Sequence, residues 1–192
     1  MYIADIKKII NENSLVTENI FEVCGKNIKD AIDLMIECIV TDNKILWCGN
    51  GGSAADAQHM AAELMGGLVS HDRRPIASIA LTTDSSFITA WSNDTDYASI
   101  FSRQIEGLGK QGDILIAIST SGNSANVLNA IHCAINKKMK VIILTGKTGG
   151  KMKDLGDVRI CIPSNNTQRV QEGHLLVEHM LCELIEKFVL KS

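Results

Sequence analysis

Aromatic residues are scarce, at 4% of the 192-residue chain, while Gly, Ala and Ile are plentiful. That balance suits an α/β layer fold better than a β-sandwich. Long apolar runs are missing too: none approaches the ~18–20 residues of a membrane helix, so no membrane partner is expected. Nor is there an excess of basic charge. Nineteen Lys and Arg stand against 22 Asp and Glu, a net charge of −3, and bulk nucleic-acid binding needs a basic face. The six cysteines, Cys24, Cys38, Cys48, Cys133, Cys161 and Cys182, include no Cys-x-x-Cys spacing, and most lie in apolar periodic segments. They read as buried free thiols. The first residues, Met1-Tyr2-Ile3-Ala4-Asp5, lack the charged start and apolar core of a signal peptide, which predicts a cytoplasmic chain.

What is present is 45% hydrophobic and 21% charged, a globular composition long enough for one domain over residues 1–192, with no linker and no internal repeat. One stretch organises it. Ile45-Leu46-Trp47-Cys48 is a short apolar run, Gly49-Asn50-Gly51-Gly52 breaks it, and Ser53 to Leu64 turns helical on alanines, with Met60, Leu64 and Met65 spaced for one face. A strand, a tight glycine-rich turn and a helix leave backbone N–H groups free at the helix N-terminus, aimed at an anion. One turn further on, His59 and Glu63 are four apart and share a face.

Ahead of this stretch, residues 3–23 and 27–41 read as two amphipathic helices separated by Gly25, the second carrying Ile28, Ile32, Met35, Ile36, Ile39 and Val40. Two apolar helices before the first strand need a surface to cover, partly the sheet and partly a neighbouring subunit, so a closed homo-oligomer is expected. Behind it, strands are predicted at 75–81, 114–118, 141–144 and 158–162, and helices at 85–91, 97–108, after Ser124, near 151–155 and from 167 to 188. Asn93-Asp94-Thr95-Asp96 reads as a turn. Ile114 to Ile118 is apolar on both faces, hence central and parallel. Strands and helices alternating five times predict a three-layer α/β sandwich. Its five-stranded parallel sheet is flavodoxin-like, with helices on both faces and ligands at the carboxyl ends of the strands.

Gly49-Asn50-Gly51-Gly52-Ser53-Ala54 also fits a dinucleotide fingerprint, but the required acidic residue about 20 positions on is missing; Asp84 lies 35 positions after Gly49. Nicotinamide binding is set aside. A second constellation, Ser119-Thr120-Ser121-Gly122-Asn123-Ser124, puts four hydroxyls around a glycine between a buried strand and a helix. Hydroxyls, free N–H groups and the helix dipole hold a phosphate without Lys or Arg. A single helix cap needs one hydroxyl, not four, which favours the phosphate. A third, Gln171 to His179, offers His174 paired with Glu178 at i, i+4, and His179 among apolar neighbours. Spacing alone leaves open whether these are surface contacts, structural residues or ligands.

The run Cys48 to His59, with Glu63 after it, resembles the SIS (sugar isomerase) domain and, within it, the phosphoheptose isomerases. Asn93-Asp94, Ser119 to Ser124, and Arg169-Val170-Gln171-Glu172 through His179 match the same family in the same order, over about residues 20–188. The resemblance implies a substrate site of Asn50, Gly51, Gly52, Glu63, Asn93, Asp94, Ser119, Thr120, Ser121, Ser124 and Gln171. It implies a zinc site, one per subunit, of His59, Glu63, Gln171 and His179. It also implies catalysis by Glu63 and His179 and a homotetramer with sites at subunit interfaces. The activity implied is isomerisation of sedoheptulose 7-phosphate to D-glycero-D-manno-heptose 7-phosphate, feeding lipopolysaccharide or capsule. A similar non-enzymatic relative, the replication-initiator-associating protein, lacks the Glu and the final His; both are present here. One departure is Gly67, where the family usually carries an arginine after Glu-Leu-x-Gly; Arg73 or Arg74 is left to supply that contact.

Moving a carbonyl between C1 and C2 needs a base and an acid working through an enediolate, and a carboxylate with an imidazole is the usual pair. Zinc would add a Lewis acid, although Gln is an uncommon zinc ligand and metal binding competes with a catalytic role for Glu63 and His179. Gln171 and His179 stand eight residues apart, about 12 Å along one helix. Each metal is therefore expected to draw ligands from two chains.

Overall fold

The structure, a computed structural model, describes residues 2–191. Five parallel strands, β1 (Ile45–Cys48), β2 (Ser78–Ala80), β3 (Ile114–Ser119), β4 (Lys140–Gly146) and β5 (Val158–Ile162), form one sheet in the order β2-β1-β3-β4-β5. Its middle strand, β3, is buried along its whole length, as its two-faced apolarity requires. The order reverses direction between β1 and β3, so the turns leaving these adjacent strands face one crevice.

Alternation along each strand divides the core. Ile45, Trp47, Ile114, Ile116, Ile118, Ile142 and Leu144 point to one face, where α1 (Ile3–Val40), α2 (Gly52–Gly66) and α6 (Thr167–Val189) pack. Leu46, Cys48, Leu115, Ala117, Val141 and Ile143 point to the other, toward α4 (Ile100–Leu108) and α5 (Ala125–Asn136), beside α3 (Ser85–Asp94). At the amino ends of the strands two carboxylates act as staples. The fully buried Asp113 accepts from the backbone N–H of Lys44 and Lys110 and pairs with the Lys44 ammonium. Asp157 accepts from Val141 N–H and the Lys140 ammonium. The carboxyl ends are left to the turns.

Several expectations are corrected. The two N-terminal helices are one, 38 residues long. Gly25 costs about 1 kcal/mol in a helix interior, and the buried stripe of Ile20, Cys24, Ile28, Ala31, Met35, Cys38 and Ile39 runs straight through it. Asn93 and Asp94 are the last turn of α3, not a loop, and a 3-10 turn at Tyr97–Ser99 precedes α4. The segment near 151–155 is a 3-10 turn, Gly150–Met152. Met65 is half exposed, off the buried face that Met60 and Leu64 share. All six cysteines are free; Cys133 and Cys161 are only partly buried. No helix among the described residues is long and apolar enough to cross a membrane.

Candidate active site

The turn after β1 is built by close approach. A Cβ on Gly49 would lie 2.7 Å from the Ser53 backbone oxygen, so the chain can double back onto the first turn of α2 only with glycine there. Gly51 caps α2 at φ +57° and offers no side-chain cap, leaving that helix N-terminus to the site. A Cβ on Gly52 would lie 2.5 Å from Nε2 of Gln171, in the second turn of α6. The missing side chain is what admits the Gln171 amide over the glycine turn.

From that point α2 and α6 run side by side. His59 Nε2 lies 3.1 Å from Glu63 Oε1, and the His59 and His179 rings meet edge to face with centroids 5.0 Å apart. Nδ1 of His179 lies 3.0 Å from the Leu175 carbonyl. A carbonyl only accepts, so Nδ1 carries the hydrogen and Nε2 keeps a free lone pair. Asp56 stands behind the imidazoles. Burial pushes its carboxyl up, and the nearby His59 and His179 offset that in part. His59, Glu63 and His179, apart by 116 residues between Glu63 and His179 in sequence, are thus brought together within one chain.

The turn after β3 forms the second half. Ser119 and Ser124 hydroxyls lie 3.1 Å apart, so Ser124 turns away from capping α5; Asn126 Oδ1 takes the Val127 N–H, and the N–H groups ahead of it are left for the site. Gly122, at φ +64°, passes so close to the Gly149 backbone that a Cβ would meet its oxygen at 2.0 Å. Thr120, Ser121, Asn123, Ser164, Thr167 and Lys147 line a cleft of about 270 Å³ here. Lys147 was not anticipated: it belongs to the turn after β4, and only the sheet order brings it beside the serines.

Asn93 and Asp94 lie on the exposed end of α3, where Asn93 Nδ2 donates to Asp94 Oδ1 (2.8 Å). They are not drawn into the His59–Glu63–His179 cluster. The following segment does reach the site: the Tyr97 hydroxyl donates to Asn50 Oδ1 (2.9 Å). Asn50 also pairs reciprocally with the buried Asn126, Nδ2 to Oδ1 at 2.9 and 2.8 Å. Neither Tyr97 nor Asn126 carries a signal in the sequence, because only the adjacency of β1 and β3 makes them neighbours of Asn50.

His174 and Glu178 are not a surface pair; both are fully buried. His174 Nε2 donates to the Thr145 carbonyl at 3.0 Å, and burial lowers its pKa to about 4 against the small upward pull of that bond. Burial, reinforced by Asp56, holds the Glu178 carboxyl well above the usual range. Neither Glu178 oxygen has a hydrogen-bond partner within the described residues. Arg73 is not free to supply the contact expected of an arginine at position 67. Arg73 is buried on Glu186 (2.8 Å) and donates to the Glu63 and Arg74 carbonyls. Arg74 reaches the Ile39 carbonyl. Gly67 itself has φ +113°, with a Cβ position 2.3 Å from the Ser70 backbone oxygen.

As a metal site the donors suit zinc chemically: two imidazoles, one with its tautomer set by a backbone carbonyl, and a carboxylate. No three or more His, Cys, Asp and Glu side chains among the described residues are already closed around a metal position, since His59 and Glu63 bond each other. Gln171 stays two helical turns from His179, against Gly52.

Residues 9–146 match the family model described as the SIS domain. The phosphoheptose isomerase of Dechloromonas aromatica is 47% identical over 191 residues, 98% of this chain and 97% of that one. The solved phosphoheptose isomerase of Neisseria gonorrhoeae superposes with a TM-score of 0.92 at 41% identity, covering 97% of this chain and all of the other. That of Francisella tularensis gives 0.94 at 34% identity, covering 97% and 99%.

Proposed function

The chain belongs to the phosphoheptose isomerases of the SIS-domain family, and from that premise we propose how its site does the chemistry. It is an aldose–ketose isomerase acting on sedoheptulose 7-phosphate in heptose biosynthesis. The observation that carries the mechanism is the convergence of Glu63 and His179 on His59; the hydroxyl-lined cleft after β3 is the place for the phosphate.

The phosphate binds at the open N-terminus of α5 among Ser119, Thr120, Ser121 and Ser124, with Lys147 adding charge. The sugar then extends across Asn50, Gly51 and Gly52 toward α2. One member of the Glu63–His179 pair takes a proton from C1 of the ketose, leaving an enediolate. Return of a proton to C2, with the O1 hydroxyl proton passed to O2, completes the aldose. The free Nε2 lone pair of His179 and the partly exposed Glu63 carboxylate are the groups that move these protons. His59, Glu63, His179 and Gln171 would hold zinc, which would supply Lewis acidity for the developing oxygen charge while engaging the His179 Nε2 and Glu63 carboxylate that otherwise move the protons. The spacing along α6 favours a Gln171 contributed by a second chain. The exposed Ile3, Ile6, Ile9, Ile10 and Phe21 of α1 support burial of that helix in a homotetramer, and we place the enzyme in the cytoplasm, supplying lipopolysaccharide or capsule.

Purified protein mixed with sedoheptulose 7-phosphate, with and without added zinc, should form the aldose, and Glu63→Gln should lose at least about a hundredfold in kcat. No turnover in either condition removes the mechanism. Faster turnover of six-carbon than seven-carbon sugar phosphates would move the substrate assignment.

A further inference from the structure

The hydrogen bonds around Asn50 fix which way its amide faces. A backbone N–H can only donate. Val127 N–H lies 3.0 Å from one side-chain atom of Asn126, which must therefore be Oδ1. The other Asn126 atom is then Nδ2, and it donates to Asn50 Oδ1. Asn50 Nδ2 in turn donates to Asn126 Oδ1, and the Tyr97 hydroxyl adds a second donor to Asn50 Oδ1. An amide oxygen has two lone pairs and its nitrogen two hydrogens. Both lone pairs of Asn50 are taken and one hydrogen is used. A single N–H remains, on a residue of the glycine turn that opens toward the crevice.

We infer that Asn126 and Tyr97 are positioning residues that lock Asn50 as a hydrogen-bond donor, so that it recognises an oxygen acceptor of the sugar phosphate, a hydroxyl or carbonyl oxygen. A flipped amide would set NH2 against the Asn126 NH2 and oxygen against oxygen, so Asn126 sets the orientation; the Tyr97 hydroxyl, able to donate or accept, then donates to the Asn50 oxygen and fills its second lone pair. The Asn50–Asn126 pair also ties the turn after β1 to the turn after β3, and so fixes the spacing between the sugar-binding and phosphate-binding halves. This inference rests on the function proposed above.

The test is a double-variant cycle read in KM and kcat for sedoheptulose 7-phosphate. Tyr97→Phe removes one hydroxyl from a side chain 54% exposed, so its fold is retained, which thermal melting checks. Loss of one neutral hydrogen bond predicts about a fivefold rise in KM for Tyr97→Phe with kcat within about twofold of wild type. Asn50→Ala should raise KM by about tenfold or more. Adding Tyr97→Phe to Asn50→Ala should then change KM by less than about twofold, because the hydroxyl acts only through Asn50. Asn126→Asp, which accepts but cannot donate, should raise KM at least as much as Tyr97→Phe. An unchanged KM in Tyr97→Phe, or equal effects of Tyr97→Phe with and without Asn50, overturns the inference. A wild-type chain that neither binds the sugar phosphate by calorimetry nor turns it over removes the function reading, and this one with it. Wild-type turnover with additive effects removes this one alone.

Discussion

Arg73→Met should destabilise the protein far more than an ordinary surface change. The guanidinium and the Glu186 carboxylate are 1% and 2% exposed. Besides that pair, Arg73 donates to the Glu63 carbonyl at 2.7 Å and the Arg74 carbonyl at 2.9 Å. Glu186 accepts from Leu68 and Val69 N–H. Burial pushes the Glu186 carboxyl up, but Arg73 and the backbone donors outweigh it and hold it below the usual value. Removing one member of a buried pair leaves the other charge uncompensated and costs about 3–5 kcal/mol, which for a chain this size lowers Tm on the order of 10 °C. Arg73→Met/Glu186→Leu should recover much of that, because replacing both charges removes the desolvation burden along with the attraction. The assay is urea denaturation at one fixed protein concentration, since a multimer's midpoint depends on concentration. Because its folded-state pKa is depressed, the stability Glu186 contributes is present above its unfolded pKa and lost as pH falls through the folded one. The gap between wild type and Arg73→Met should therefore narrow in acid. A cost below about 1 kcal/mol for Arg73→Met, or a double variant no better than the single, refutes the reasoning.

Three further outcomes follow from the same physics. Glu178→Leu should raise stability at neutral pH by about 1–3 kcal/mol, since it replaces a buried carboxyl with no partner. The raised folded pKa means wild-type stability falls as pH climbs above the unfolded value, so thermal melts should show a wider gap at pH 8 than at pH 5. A less stable variant at pH 8 would contradict this. His174 is held neutral down to about pH 4, against 6.5 unperturbed. Stability should drop by up to about 3 kcal/mol as pH falls across that window, a slope that chemical denaturation of His174→Gln should lack. Gly52→Ala must displace the Gln171 amide. Zinc affinity by competition with a chelator should fall about tenfold or more, with Tm lowered by only a few degrees; unchanged affinity would detach Gln171 from the metal.

The sheet was legible in the sequence because its central strands are apolar on both faces and closed by turn residues, as at Ile114–Ser119. Both site turns were legible for a related reason: glycine and hydroxyl clusters between a strand and a helix have few other uses. Gly25 misled because glycine was taken as punctuation, although a buried stripe on both sides outweighs its cost. His174 and Glu178 misled because i, i+4 spacing is the same on a wet face and a dry one. Asn126, Tyr97 and Lys147 could not be read at all, since what makes them neighbours of Asn50 and the serines is strand order, a property of the whole sheet.

The loop conformation at position 67 limits what can be built there. Putting back the family arginine would take more than a codon change: its β-carbon would collide with the Ser70 oxygen, and the left-handed backbone would resist any side chain. The loop would have to reshape first. A cation wanted at this site is therefore more cheaply engineered onto another segment than at position 67.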